Sequence, residues 1–219
     1  MNQYAVITID GPAGAGKGTI AGLLAEQLGW HLLDSGAIYR VAAVAALRQG
    51  VDLQDETALA ELIPNLHIAF KNGDAWLDGE NVTGEIRNET CAGATSKIAA
   101  LPAVRAALLA LQRSFQQAPG LVADGRDMGT VVFPDAAHKF YLTASAEIRA
   151  QRRLKQLSEQ GVSARLSDLI QDINARDERD ANRPVAPLKP ADDAVMIDTS
   201  PLTQAEVFAA VLQRINPSI

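Results

Sequence analysis

Ala5-Val6-Ile7-Thr8-Ile9-Asp10-Gly11-Pro12-Ala13-Gly14-Ala15-Gly16-Lys17-Gly18-Thr19-Ile20 is the stretch that decides how this chain folds. Ala5 to Ile9 is apolar and rich in β-branched side chains, with turn residues after it, as a buried strand of a parallel sheet would be. Gly11 to Gly16 is a glycine-rich loop. Beyond it Ile20, Leu23, Leu24 and Leu28 recur at helical spacing, and Gly29 closes that helix. The pattern G-x-x-x-x-G-K is met by Gly11, Gly16 and Lys17, between a strand and a helix, which is the context that marks a phosphate loop. Glycines let successive N–H groups converge on phosphate oxygens, and the helix N-terminus adds its partial positive charge. Lys17 is expected to bridge the terminal phosphates. A glycine turn ahead of an ordinary helix is the plain alternative, but a lysine in a first helical turn opposes the helix dipole unless an anion binds nearby. The nucleotide-binding set is therefore Gly11, Pro12, Ala13, Gly14, Ala15, Gly16, Lys17, Gly18 and Thr19. Position 18 is Gly, so the hydroxyl of the general pattern arrives one residue later. Thr19 is the expected metal contact, with direct and water-mediated Mg²⁺ ligation both open.

Outward from this loop, a second helix is expected over about Ala37 to Arg48, after the turn Asp34-Ser35-Gly36. From Leu66 to Val82 alternating apolar residues are punctuated by Asn72-Gly73 and Asp78-Gly79, two strong hairpin turns, which implies a small antiparallel insertion. Pro102 opens a helix whose Val104, Leu108, Leu111 and Phe115 form one apolar face. Leu121-Val122-Ala123, Phe140-Tyr141-Leu142 and Ala194-Val195-Met196-Ile197 read as further core strands. Residues 146–183 are polar and helical in pattern, and a last helix is expected over Thr203 to Ile215. Alternating strands and helices imply an α/β fold with a mostly parallel sheet, interrupted by a β-rich insertion and a basic helical segment.

With 219 residues, 47% of them hydrophobic and 21% charged, the chain suits one globular domain. No apolar run approaches the length needed to cross a bilayer, and no secretion signal precedes the first strand. The lone cysteine, Cys91, excludes an internal disulfide, so a cytoplasmic address is expected. A net charge of −6 argues against nonspecific binding to nucleic acid. Of the 20 basic residues 14 are Arg and 6 are Lys. Guanidinium groups grip phosphate in a bidentate way, and here they gather in particular segments.

Three such segments carry chemistry. Asp34-Ser35-Gly36-Ala37-Ile38-Tyr39-Arg40 joins a helix cap to an arginine one turn further in, although a capped surface helix would look the same. Asp124-Gly125-Arg126-Asp127-Met128-Gly129-Thr130 follows an apolar strand, at the edge where open α/β sheets bind ligands. Asp124 stands where an acidic, Mg²⁺-orienting residue is expected. In Arg176-Asp177-Glu178-Arg179-Asp180-Ala181-Asn182-Arg183, helical spacing puts Arg176, Asp180 and Arg183 on one face, as it also would in a solvated ion-pair helix. Arg149, Arg152 and Arg153 form a second basic cluster upstream, and the two together suggest a lid closing over phosphates. Phosphoryl transfer needs alignment and charge neutralisation rather than a strong base, which accords with His31, His67 and His138 being scattered and structural.

The phosphate loop, the Asp34–Arg40 segment, the Asp124–Thr130 segment and the Arg176–Arg183 segment together resemble bacterial cytidylate kinases, nearly along the whole chain and in the expected order. Gly18-Thr19 in place of a Ser or Thr directly after Lys17 resembles the nucleoside monophosphate kinase form of the loop. The resemblance implies a P-loop parallel sheet flanked by helices, in a single domain spanning 1–219. Its core would cover about 1–33, 121–145 and 191–219, with a β-rich acceptor-binding region over about 34–120 and a helical lid over about 146–190. It implies transfer of the γ-phosphoryl group of ATP, with Mg²⁺, to CMP or dCMP, usually by a monomer. Arg40 and Arg126 would hold the acceptor's phosphate, with Ser35 from the same capped segment as Arg40. Ser96, Arg105 and Asp127 would read the cytosine, and Asp180 with Arg176 would contact the sugar. Lys17, Arg126 and Arg183 would serve the transferring phosphoryl group. Independently of the resemblance, a carboxylate such as Asp127 is the natural acceptor for the exocyclic amine of cytosine and repels the oxygen that uracil presents there.

Two rival readings are weaker. A phosphate-loop kinase with a hydroxyl acceptor would call for a carboxylate base, a role open to Asp124, but the arginine-rich acceptor segments favour a substrate already phosphorylated. A guanine-nucleotide switch would carry Asn-Lys-x-Asp and Asp-x-x-Gly, and neither occurs in the sequence.

Overall fold

The run Ala5–Asp10 forms β1, buried from Val6 onward, because its β-branched side chains are covered on both faces of a sheet. The computed structural model describes residues 4–71 and 73–215. After β1 come α1 (Lys17–Leu28), β2 (His31–Asp34), α2 (Ser35–Arg48) and α3 (Glu56–Leu62). They are followed by β3 (Ile68–Lys71), β4 (Asp74–Leu77), β5 (Glu80–Asn81), α4 (Glu89–Ile98) and α5 (Pro102–Ser114). The chain ends with β6 (Gly120–Gly125), β7 (His138–Thr143), α6 (Ala146–Glu159), α7 (Leu166–Ala181), β8 (Val195–Asp198) and α8 (Gln204–Leu212).

Two compact units result: Met1–Leu33 with Phe115–Ile219, and Asp34–Ser114. The first holds a five-stranded sheet in the order β2-β6-β1-β7-β8. β1 runs parallel to β6 and to β7, and β7 runs parallel to β8, so the α/β expectation holds. Its core joins Ile7, Ile9, Val122, Phe140 and Leu142 of the sheet to Ile20, Leu24, Val207 and Val211 of α1 and α8. The register Asp10↔Gly125 brings the ends of β1 and β6 level, which places the loops that follow them at one sheet edge.

The second unit contains the antiparallel sheet β3-β4-β5, where an insertion was expected. Asp78 and Gly79 both take positive φ (50° and 87°) in the β4–β5 turn, the geometry that Asp-Gly favours. The other turn, Asn72-Gly73, includes a residue outside those described. α2 packs against α4 within this unit, with Ile38, Val41 and Ala42 buried.

Helix boundaries shift from expectation for local reasons. α2 begins at Ser35 rather than Ala37, because the Asp34 side chain caps it by accepting from Ala37 N at 2.9 Å. The polar run 146–183 divides into α6 and α7, with Gly161 at φ 74° between them. β2, α3 and α4 were not expected from the sequence. Among the described residues no single helix is long and apolar enough to cross a membrane.

Candidate active site

The phosphate loop leaves β1 at Asp10 and enters α1 at Lys17. Gly11 has φ 143°, and a Cβ there would lie 2.0 Å from the Leu142 carbonyl oxygen, so only glycine lets the chain turn this close to β7. Gly16, with φ 92°, is the N-cap of α1. That N-terminus has no side-chain cap and no acidic residue in its first turn, and so it is free to face an anion.

The carbonyl side of the loop is tied down. The Pro12 carbonyl accepts from Lys17 Nζ at 3.0 Å, and that of Ala13 from Arg149 Nη1 at 3.2 Å. The Gly14 carbonyl accepts from Arg152 Nη1 at 3.4 Å, and that of Ala15 from Thr199 Oγ1 at 3.1 Å. Arg152 also donates to the Thr199 carbonyl at 2.7 Å, and Arg149 makes a bidentate pair with Asp177 at 3.0 and 2.5 Å. Four successive carbonyls thus have protein donors, which holds the loop's conformation.

Lys17 is 7% exposed, and its Nζ lies 3.8 Å from Asp124 Oδ1. Burial pushes its pKa down to about 8; Asp124 opposes the fall, while Arg126 and Arg176 add to it. A buried ammonium in such company is short of negative charge, which a bound triphosphate would supply. A Cβ on Gly18 would sit 3.1 Å from Asp124 Oδ2. Glycine at this position therefore leaves the carboxylate room beside the first turn of α1, the turn that carries the exposed Thr19.

A second group gathers around Asp180, which is 1% exposed at the end of α7. Its Oδ2 accepts from Arg126 Nε at 2.5 Å, and its Oδ1 accepts from Arg183 Nη2. Burial raises the Asp180 pKa, but the two guanidinium groups more than offset it and hold the carboxyl below its usual range. Burial also works against the charge on Arg126, and Asp180 more than compensates. Asp127, 3% exposed, follows Arg126 in the chain, and Arg176 is half-buried on α7.

In the second unit, Ser35 is the first residue of α2, and its hydroxyl donates to Gln112 Oε1 at 2.7 Å. Arg40 lies one turn further along and donates to the Ile86 carbonyl at 2.7 Å. The Arg105 guanidinium sits 5.6 Å over the Tyr39 ring and donates to the Ala99 carbonyl at 3.2 Å. Ser96 Oγ is buried with no hydrogen-bond partner among the described residues, an arrangement that costs free energy unless a ligand completes it.

Residues 7–217 match the sequence profile described as Cytidylate kinase. The chain belongs to the cytidylate kinase family. It is 57% identical to the cytidylate kinase of Shewanella amazonensis over 220 residues, covering 98% of this chain and 95% of that one. It is 55% identical to that of Vibrio parahaemolyticus over 222 residues, covering 100% and 98%. With the cytidylate kinase of Burkholderia vietnamiensis it shares 57% identity over 208 residues, covering 95% and 91%.

Within this family member, the structure joins Lys17 to Asp124, and Arg126 to Asp180 and Arg183, as neighbours in the first unit. His31 bonds the Ala118 carbonyl at 2.7 Å, and the exposed His67 ring lies 3.4 Å from Asp78. Sequence reasoning passed over Asp10, Gln112 and Thr199. Asp10 alone carried a signal, as an acidic residue abutting the phosphate loop.

Proposed function

We propose that this protein transfers the γ-phosphoryl group of ATP to CMP or dCMP, forming CDP or dCDP and ADP. Family membership across 7–217, on a fold whose phosphate loop has its carbonyls tied by protein donors, carries the reading. Gly11–Thr19 take the ATP phosphates through main-chain amides, and Lys17 takes the charge at the transferred group. Arg183 and Arg126 neutralise the developing negative charge on the equatorial oxygens, and Arg126 also holds the acceptor's phosphate. The acceptor oxygen is already anionic, so no general base is needed.

By the family resemblance, Arg126, Asp127, Arg176 and Asp180 are proposed as acceptor-contacting residues, and so are Ser35, Arg40, Ser96 and Arg105. The buried, unpartnered Ser96 hydroxyl supports a polar ligand there. Ser35, already donating to Gln112, has lone pairs left to accept from a ligand donor.

Mg²⁺ fits these residues. Among the described residues no cluster of three or more His, Cys, Asp or Glu could cage a metal unaided. Mg²⁺ commonly needs only one or two protein oxygens beside phosphate and water, and the Thr19 hydroxyl and the Asp124 carboxylate flank the same helical turn. They would hold it directly or through water, and the ion would screen charge between the phosphates. We also infer a monomeric enzyme, as the family resemblance implies, and a cytoplasmic one, with which a single free, buried Cys91 is in keeping.

ADP release measured with a panel of nucleoside monophosphates tests the assignment. CMP and dCMP should drive it fastest; equal rates with AMP, GMP and UMP, or release independent of any acceptor, would reject it.

A further inference from the structure

Asp10 is the last residue of β1, is 3% exposed, and has no arginine or lysine within salt-bridge distance among the described residues. Both of its oxygens are nonetheless engaged. Oδ1 accepts from Met128 N at 2.8 Å and Oδ2 accepts from Gly129 N at 2.8 Å. Across the sheet Asp10 pairs in register with Gly125, the last residue of β6. The chain is therefore fastened at Gly125 by the strand ladder and at Met128 and Gly129 by one carboxylate. Only Arg126 and Asp127 lie between these fixed points. The Met128 side chain packs over Gly125, where a Cβ would be 2.7 Å from its Cγ, and the turn Met128–Val132 follows directly. Two residues held at both ends have little freedom to redirect their side chains.

We propose that Asp10 is a positioning residue for acceptor binding: by taking the Met128 and Gly129 N–H groups it sets the directions of Arg126 and Asp127. The inference rests on the reading of Arg126 and Asp127 as acceptor-contacting residues. It also accounts for a carboxylate being kept at a site that penalises it, since burial pushes the Asp10 pKa up to about 6 against the two backbone donors. Asparagine fills the same space but offers one oxygen and one NH₂, so it can satisfy only one of the two N–H groups and confronts the other with a donor.

The test compares Asp10→Asn, Asp127→Ala and the double variant for KM of CMP, KM of ATP, kcat and the CMP-to-UMP ratio of kcat/KM. Asp10→Asn is expected to raise the CMP KM by roughly tenfold, with the ATP KM within about twofold, since a charge-assisted bond to the turn is lost. The selectivity losses of the single variants should overlap in the double variant rather than multiply. A folded Asp10→Asn enzyme with unchanged CMP KM, or with CMP and ATP affected alike, overturns the proposal. If Asp127→Ala leaves the CMP-to-UMP ratio intact, the base-reading role of Asp127 fails, and the CMP-against-ATP contrast in Asp10→Asn still decides the role of Asp10 through Arg126. Should Asp10→Asn not fold, the unaltered enzyme decides by reciprocity. If the clamp favours CMP, then CMP must slow amide exchange at Met128 and Gly129 more than ATP does. Equal exchange with and without CMP overturns the inference.

Discussion

Binding of Mg-ATP is expected to draw a proton onto Lys17. In the free protein burial holds this ammonium near pKa 8, against an ordinary value of 10.5, which corresponds to about 3 kcal/mol against the charged form. For a lysine whose folded pKa is depressed, the unfolded chain binds more protons between the two values, so the free protein gains stability as pH rises from about 8 toward 10.5. A triphosphate beside Nζ reverses the balance, since it supplies the negative charge that burial lacks. The neutral fraction of Lys17 grows as pH rises past about 8, so each ATP bound should take up more of a proton at pH 9 than at pH 7. The affinity for ATP should fall over the same range. Calorimetric titration in two buffers of different ionisation enthalpy reads the proton directly, and these pH values lie above the last ionisation of ATP itself. Lys17→Met should abolish the uptake, together with phosphoryl transfer. Binding heats that are identical in the two buffers, with an affinity flat from pH 7 to 9, would refute the reasoning.

Other consequences are as specific. Asp127→Ala should cut discrimination between CMP and UMP by about 1–3 kcal/mol, the usual worth of a base-edge contact, and unchanged kcat/KM ratios would contradict its role. Asp180→Ala removes the buried carboxylate that Arg126 and Arg183 share and should cost about 3–5 kcal/mol in urea unfolding; a cost under about 1 kcal/mol would contradict the pairing. The depressed pKa of Asp180 also means that its contribution is present above pH 3.8 and is lost as pH falls through the lower, folded value, which acid titration of Asp180→Asn against the parent would show. Gly11→Ala forces a Cβ to within 2.0 Å of the Leu142 carbonyl and should raise the ATP KM while lowering stability by at least about 1–3 kcal/mol; parental values for both would show that the turn is not tight.

The sequence made the phosphate loop legible because its chemistry is contiguous: strand, glycines, lysine and helix occupy residues 5–28 with no distant partner needed. Arg126, Asp180 and Arg183 were visible as charged clusters, yet the buried triad they form depends on α7 returning to the end of β6, which no local spacing encodes. Arg149 and Arg152 were read as part of a cluster closing over phosphates. Their bonds to the Ala13 and Gly14 carbonyls, and to Thr199 after β8, belong to tertiary structure alone. β2 escaped notice because His31-Leu32-Leu33-Asp34 has no β-branched residue and only Leu33 is buried. α4 escaped because Thr90, Gly93, Thr95 and Ser96 are weak helix formers, and its start depends on Asn88 capping Cys91 N at 2.7 Å. Asp10 was passed over among the turn residues after Ile9; that it is an acid abutting the loop was visible, but not that it caps a turn 118 residues away.

In the proposed reaction one phosphate is passed to another, with guanidinium groups gathering the acceptor. ATP labelled in its γ-phosphoryl group, incubated with enzyme and either CMP or cytidine, tests this most directly. The label should appear in the β-phosphate of CDP and should not reach cytidine; label in CMP made from cytidine, or inorganic phosphate released at a rate indifferent to CMP, would contradict it.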